Sequence, residues 1–272
     1  MKSLSLMTLL WQKTKNTMLF EKAYARVNFK SLRVDIKNLP SSFENFTIVH
    51  LSDLHVNAKT PLHAFEELVD KINELEIDMV ALTGDLFDTN PARIRSQLER
   101  LSHIKHPVYF VSGNHDLLFT CKELAREIEM LGFTLLDNRF ITLKRGDEAL
   151  QLVGLSDAFS RYFGIKRDPK KLFSELDAKI PSILLAHQPK DIRLTQTFAI
   201  DLQLSGHTHG GQIYPFGYIV RLFQPYLQGL HVKNKTQIFV TTGYGSWGFD
   251  FRFRTPSEVV ILKLTKGEHA EH

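Results

Sequence analysis

Phe46-Thr47-Ile48-Val49-His50-Leu51-Ser52-Asp53-Leu54-His55 joins a mostly apolar run to a polar cluster, and its reading decides the fold. Phe46 to Leu51 is rich in β-branched and large apolar side chains, which predicts a buried strand. Working outward, Leu62, Phe65, Leu68, Val69 and Ile72 recur at helical spacing, and Met79-Val80-Ala81-Leu82 predicts the next strand. A helix is predicted from Pro91, well placed in a first turn, through Ile94, Leu98 and Leu101. Val108-Tyr109-Phe110-Val111 then predicts a third strand, with Leu124 and Ile128 marking its following helix. Strands alternating with helices predict a layered α/β fold rather than a sandwich or a bundle.

After Gly132 the pattern becomes strand-rich: Arg139 to Leu143, Leu150 to Leu155, a helix near Pro169 to Lys179, then Ser182 to Ala186. No linker-like stretch or repeat divides the chain, so residues 28–266 are expected to form one domain of two packed sheets with helices outside. Residues 1–27 place Leu6, Leu9, Leu10, Met18 and Leu19 among Lys13, Lys15 and Lys22. That suits an amphipathic helical segment, either packed on the domain or laid on a membrane surface. Residues 267–272 read as a frayed tail.

The chain has 272 residues, 43% hydrophobic and 24% charged, a balance that excludes disordered and fibrous classes. Cys121 is the single cysteine, which removes an intrachain disulfide framework and cysteine-based metal clusters and leaves His, Asp, Glu or Asn to hold any metal. A net charge of +4 is only mildly attractive to phosphates or an anionic surface and gives no footprint for a specific nucleic-acid partner. The run Leu4 to Trp11 falls short of the roughly 18–20 apolar residues of a membrane span and lacks a small-residue cleavage site, so no removed signal peptide is expected.

Metal-binding side chains recur where the predicted strands end, the usual ligand position of open α/β sheets. Asp53 and His55 follow the first strand and Asp85 the second, in Thr83-Gly84-Asp85. Asn114, His115 and Asp116 follow the third, in Gly113-Asn114-His115-Asp116. His187 comes after Ser182 to Ala186, and His207 and His209 lie in Gly206-His207-Thr208-His209-Gly210-Gly211. A lone Asp after a strand is usually a turn or cap residue. A given four-letter string, however, is expected about once in 160,000 positions of equiprobable letters, and two such strings in this company separate the pattern from chance.

In this order the residues resemble the calcineurin-like metallophosphoesterase superfamily, whose signature runs Asp-x-His, Gly-Asp, Gly-Asn-His-Asp/Glu, His, Gly-His-x-His. The resemblance spans Ile48 to Leu264. It implies a four-layered α/β/β/α sandwich of two mixed sheets carrying two divalent metal ions. It implies further that Asp53, His55 and His209 hold one metal, that Asn114, His187 and His207 hold the second, and that Asp85 bridges them. A metal-activated hydroxide would attack phosphorus, His115 would donate a proton to the leaving oxygen, and Asp116 would orient His115 or cap a helix. Imidazole, carboxylate and amide donors suit Mn, Fe or Zn better than Ca, with Mn the first choice.

The text Gly84-Asp85-Leu86-Phe87-Asp88-Thr89-Asn90 departs from the protein Ser/Thr phosphatase form of the second motif. Ser52-Asp53-Leu54-His55, Gly206 to Gln212, Gly243-Tyr244-Gly245 and Arg252 to Glu258 instead resemble the bacterial phosphodiesterase branch that includes UDP-2,3-diacylglucosamine pyrophosphohydrolases of lipid A synthesis. That resemblance implies pyrophosphate cleavage in the cytoplasm, with peripheral contact at the cytoplasmic membrane face. Other phosphodiesters, a phosphomonoester substrate, or a non-catalytic metal-binding module are the alternatives. Ile213 to Leu227 is crowded with apolar and aromatic residues that either cradle acyl chains or pack beneath the site. Phe159, Tyr162 and Phe163 are candidates for a facing wall, and Arg161, Arg221, Arg252 and Arg254 for gripping a diphosphate.

Overall fold

One strand, β3 (Thr47–Leu51), shows how the layers arise. Val49 and Leu51 point into a core shared with helices, while Ile48 points into a second core shared with another sheet. The computed structural model describes residues 20–22, 24, 27–198 and 200–267. β1 (Phe20–Lys22) precedes β2 (Val27–Ile36), and β3 is followed by β4 (Met79–Leu82), β5 (Val108–Phe110) and β6 (Thr134–Leu135). With the long β14 (Ser257–Lys266) these build a mixed sheet ordered β2-β14-β3-β4-β5-β6, in which β3 to β6 run parallel.

The second sheet contains β7 (Arg139–Arg145), β8 (Glu148–Leu155), β9 (Ser182–Ala186), β10 (Leu202–Ser205), β11 (Gly229–Lys233) and β12 (Thr236–Val240), ordered β11-β12-β10-β9-β8-β7. Its four central strands are parallel. β13 (Phe251–Phe253) pairs antiparallel with β1. Alternation sorts the side chains: Ile183 and Leu185 meet Ile48, Met79, Val260 and Leu262 between the sheets, while Leu184 and Ala186 face Leu172 and Phe173 outside. On the far side of the first sheet lie α1 (Leu62–Asn73), α2 (Arg95–Leu101), α3 (Asn114–Thr120) and α4 (Leu124–Met130). α5 (Pro169–Ser174) covers the second sheet, and α6 (Gly217–Val220) stands by the strand ends. The order helix, sheet, sheet, helix is the layering expected from the sequence.

Three differences from the sequence reading have local causes. The helix predicted from Pro91 to Leu101 is split: the Asn90 side chain accepts the Ala92 amide to start a 3-10 turn, and Ile94 leaves the helical region at φ −129° with its side chain fully buried. The helix predicted to reach Lys179 ends at Ser174. Residues beyond it are held as a loop by Gln151, which accepts the Asp177 amide and donates to the Asp177 and Ile180 carbonyls. Phe20–Lys22, inside the stretch predicted as an amphipathic helix, is extended, while residues 1–19 of that stretch and residues 268–272 of the predicted tail lie outside the described residues.

Glu258 stitches the two sheets together beside the strand ends. Its carboxylate accepts from Lys30 Nζ at 2.6 Å on β2 and from the Thr242 amide (2.8 Å) and Thr241 hydroxyl (3.0 Å) just beyond β12. Burial alone would raise its pKa; the Lys30 ammonium and the donors at Thr241 and Thr242 outweigh that and hold it below the ordinary value. Glu258→Gln is therefore expected to cost about 1–3 kcal/mol in urea denaturation at neutral pH. Because the folded pKa is depressed, the stabilisation is complete above the ordinary carboxyl range and is lost as pH falls through the folded value. The two proteins' denaturation midpoints should converge in acid.

Candidate dinuclear metal centre

Parallel strands end on the same edge, so residues far apart in sequence are delivered to one place. Asp53 and His55 leave β3, Asp85 leaves β4, Asn114 and His115 open α3 after β5, His187 follows β9, and His207 and His209 follow β10. The turns are tight: Asp53, His55, Asp85, His207 and His209 all have φ between 46° and 69°, a left-handed conformation that costs a non-glycine residue about 1–3 kcal/mol. Neighbouring loops enforce it. The Asp53 amide donates to the Gly84 carbonyl and the His55 amide to the Asp85 carbonyl, each at 2.9 Å, and the His207 amide donates to the Asp53 carboxylate. A methyl on Gly206 would overlap the Ser52 hydroxyl and that same carboxylate, so only glycine admits this approach.

Three overlapping groups of donors converge, one of them joining His55, Asp85 and His115. In the first, His55 Nε2 and His209 Nε2 are 3.0 Å apart, with Asp53 Oδ1 3.9 Å and 3.3 Å from them respectively. In the second, His207 Nδ1 and His187 Nε2 are 3.2 Å apart. Asp85 Oδ2 reaches both, at 3.7 Å from His55 Nε2 and 3.2 Å from His187 Nε2. Asn114 lines the same cavity, and its buried Oδ1 has no hydrogen-bond partner among the described residues. Such lone pairs facing one another in a buried site are a poor arrangement for hydrogen bonds and a good one for cations. Burial lowers His207 and His209 to about 4, which keeps their imidazoles neutral and able to ligate. His187 donates from Nδ1 to the Thr83 carbonyl at 2.8 Å, which aims Nε2 inward. All seven ligands expected from the sequence therefore fit a two-metal centre.

His115 stands at the edge of this cluster, with its ring 4.6 Å from that of His55. Its Nδ1 meets Asp88 Oδ1 at 2.7 Å. Burial disfavours the imidazolium, but the Asp88 bond and the Asp85 charge outweigh it and raise the His115 pKa. Asp88 is itself held down at about 2 by the His115 and His55 rings, against the effect of burial. The sequence offered two roles for Asp116, orienting His115 or capping a helix, and the structure selects the cap, since its carboxylate accepts the amide of Gly113, which precedes α3. The Asp116 carboxylate is turned into the loops, accepting the amides of Asp85, Leu86, Phe87 and Gly113 at 2.7–2.9 Å. Burial and the Asp85 charge push its pKa to about 7, while those amides favour the anion. Asp88, three residues after Asp85 on one turn, carried the signal that sequence reasoning passed over.

The donors open into a cavity of about 380 Å³ whose other wall is Phe216, Ile219, Val220, Phe223 and Trp247. The apolar segment around α6 is thus not packing beneath the site. Phe159, Tyr162 and Phe163 do not line this cavity, and neither does any of the four arginines predicted to grip a diphosphate. Arg252 is fully buried, donating to the carbonyls of Thr242, Gly243 and Gly245, with Nη2 3.1 Å from His209 Nδ1. Arg161 is exposed and lies against Tyr162. Arg221 and Arg254 line a neighbouring pocket.

Residues 46–211 match the family model described as calcineurin-like phosphoesterase. The chain belongs to the calcineurin-like phosphoesterase family. An uncharacterized metallophosphoesterase of Helicobacter pylori is 37% identical over 254 residues, covering 90% of this chain and 66% of its own length, so this chain spans just under two thirds of that relative. A zebrafish (Danio rerio) protein named a transmembrane protein with metallophosphoesterase domain is 33% identical, covering 86% of this chain and 56% of its own length. The solved structure of a 5'-nucleotidase precursor from Thermus thermophilus shares the fold at 16% identity and a TM-score of 0.52, over 74% of this chain and 49% of that one. Gly206 lets its loop close on Asp53. Gly206→Ala is expected to keep the circular dichroism of the wild type while weakening metal retention at least about tenfold, read by elemental analysis after dialysis, because the displaced group is Asp53.

Proposed function

We propose that the protein is a dinuclear metal-dependent hydrolase of phosphodiester or pyrophosphate bonds. One observation carries the reading: the Asp85 carboxylate stands between His187 at 3.2 Å and His55 at 3.7 Å, and so joins the His187–His207 donors to the Asp53–His55–His209 donors at the mouth of an open cavity. Asp53, His55 and His209 would hold one cation, Asn114, His187 and His207 the other, with Asp85 between them. Two divalent cations there would supply Lewis-acid charge to the phosphoryl oxygens and acidify water as the nucleophile. The mixed nitrogen and oxygen donors favour Mn, Fe or Zn, and manganese is the proposed native ion. His115 provides what the ligands do not, a proton donor at the cavity edge, and Asp88 anchors its Nδ1 so that Nε2 carries the transferable proton.

The proposed substrate is a lipid-linked pyrophosphate, specifically UDP-2,3-diacylglucosamine, cleaved to UMP and 2,3-diacylglucosamine 1-phosphate in lipid A synthesis at the cytoplasmic membrane face. Its support is the apolar wall of Phe216, Ile219, Val220, Phe223 and Trp247 beside the donors, suited to acyl chains, and the branch-like sequence around Gly206 to Gln212 and Arg252 to Glu258.

Purified protein supplied with Mn should hydrolyse bis(p-nitrophenyl) phosphate and lose that activity with a chelator. Asp85→Ala should lower kcat by about 10²–10³-fold or more. Incubation with UDP-2,3-diacylglucosamine should release UMP; activity on the aryl diester without UMP release rejects the lipid substrate and spares the hydrolase. His115→Ala should cost about 10²–10⁴-fold with an alkyl leaving group and much less with p-nitrophenolate, which leaves without a proton. Equal losses on both would remove His115 from proton donation.

A further inference from the structure

Beside the catalytic cavity lies a second pocket, of about 240 Å³, walled by Tyr214, Tyr218, Arg221, Leu227, Gln228 and Arg254. α6 separates the two: Phe216, Ile219 and Phe223 turn to the catalytic side, Tyr218 and Arg221 to the other. Outward of both, large apolar side chains stand in solvent, with Leu222 79% exposed, Phe223 70%, Tyr218 63% and Phe249 62%. Isolated exposed apolar residues are ordinary, but a contiguous cluster of this kind marks an interaction surface. Within this surface Tyr214 packs on Tyr218, Phe216 on Trp247, and the Arg254 guanidinium lies 5.2 Å over the Tyr214 ring.

Charge selects the occupant. Between Asp201 and Asp250 the chain carries no acidic residue, while Arg221, Lys233 and Lys235 fall within it and Arg254 just beyond. The chain also enters the described fold at this edge: β1 pairs with β13 so that Phe20 lies opposite Phe253, next to Arg254. Residues 1–19 carry Lys2, Lys13 and Lys15, no acidic residue, and the apolar Leu4, Leu6, Leu9, Leu10 and Trp11. Aromatic and aliphatic prongs beside Arg221 and Arg254, with the exposed Asp250 as the acidic residue at the edge next to Phe249, complement the boundary between headgroups and acyl chains of an anionic bilayer.

We propose that this face docks the protein on an anionic phospholipid bilayer: Tyr218, Leu222 and Phe249 enter the acyl boundary, and the Arg221–Arg254 pocket receives a lipid phosphate. The catalytic cavity then opens toward the membrane, with Phe223 and Trp247 at its rim. The docking site is separate from the metal centre and does not depend on the hydrolase reading, because vesicle binding needs no turnover.

The test is flotation of the full chain with vesicles of phosphatidylglycerol and phosphatidylcholine against phosphatidylcholine alone. In a Trp11→Phe background, quenching of Trp247 by brominated acyl chains reports insertion of this face. The expected result is binding that requires the anionic lipid, with Trp247 quenched. The double variant Leu222→Ser/Phe249→Ser should weaken partitioning at least tenfold, and Arg221→Gln/Arg254→Gln should erase the preference for anionic lipid. Thermal melting confirms that these surface variants fold, and their hydrolysis of a water-soluble diester should match wild type. Equal binding to both vesicle types, flotation without Trp247 quenching, or light scattering showing a dimer dissolved by Leu222→Ser/Phe249→Ser would each overturn the proposal.

Discussion

Four backbone amides, from Asp85, Leu86, Phe87 and Gly113, end on the carboxylate of Asp116, and the rest of the site depends on that convergence. It locks the loop after β4 to the start of α3, so Asp85 and Asn114 cannot drift apart. The Asp85 backbone is held in a left-handed conformation that a free loop would relax. Asp53 plays the matching part for the other half, since its carboxylate accepts the His207 amide and so ties the loop after β10 to the loop after β3. Both clamps use buried carboxylates to satisfy backbone donors of neighbouring loops.

The electrostatic balance of the centre follows from these clamps. Carboxylates and imidazoles are crowded together in a buried site. Two cations would bind where these donors meet, and the Nδ1 of His187, bonded to the Thr83 carbonyl, presets its Nε2 toward them. His115 lies outside the donor groups that the sequence pattern assigned to the metals and has its own carboxylate, Asp88. In the proposed function ligation and proton donation fall to different histidines, and His115 also comes within ligating distance of His55 and Asp85.

The same strand ends place chemistry next to an apolar surface. The loop after His209 turns at Gly210 and Gly211, runs into α6 and exposes one face to the catalytic cavity and another to a basic pocket. Because both pockets share one short helix, whatever covers the outer apolar cluster also borders the entrance to the metal centre.

Much of this was legible in the sequence. The strands at Met79 to Leu82 and Ser182 to Ala186 and the buried stripe of α1 could be read from apolar runs, because strand and helix burial demand particular side chains at particular intervals, and the clustering of polar residues at strand ends was visible too, while the choice of seven among them as ligands was implied by the family resemblance. Tertiary structure alone decided the rest. The sequence offered Asp116 as a partner for His115 and gave no role to Asp88, yet in space the Asp116 carboxylate meets backbone amides and Asp88 meets the imidazole. Arg252 and Arg254 differ by two positions in one strand and its exit, and one is sealed inside while the other faces solvent. Whether the α6 aromatics pack inward or stand outward was equally open. Local sequence sets which groups can bond; only the path of the chain in space sets which partner arrives first and which side chains are left facing water.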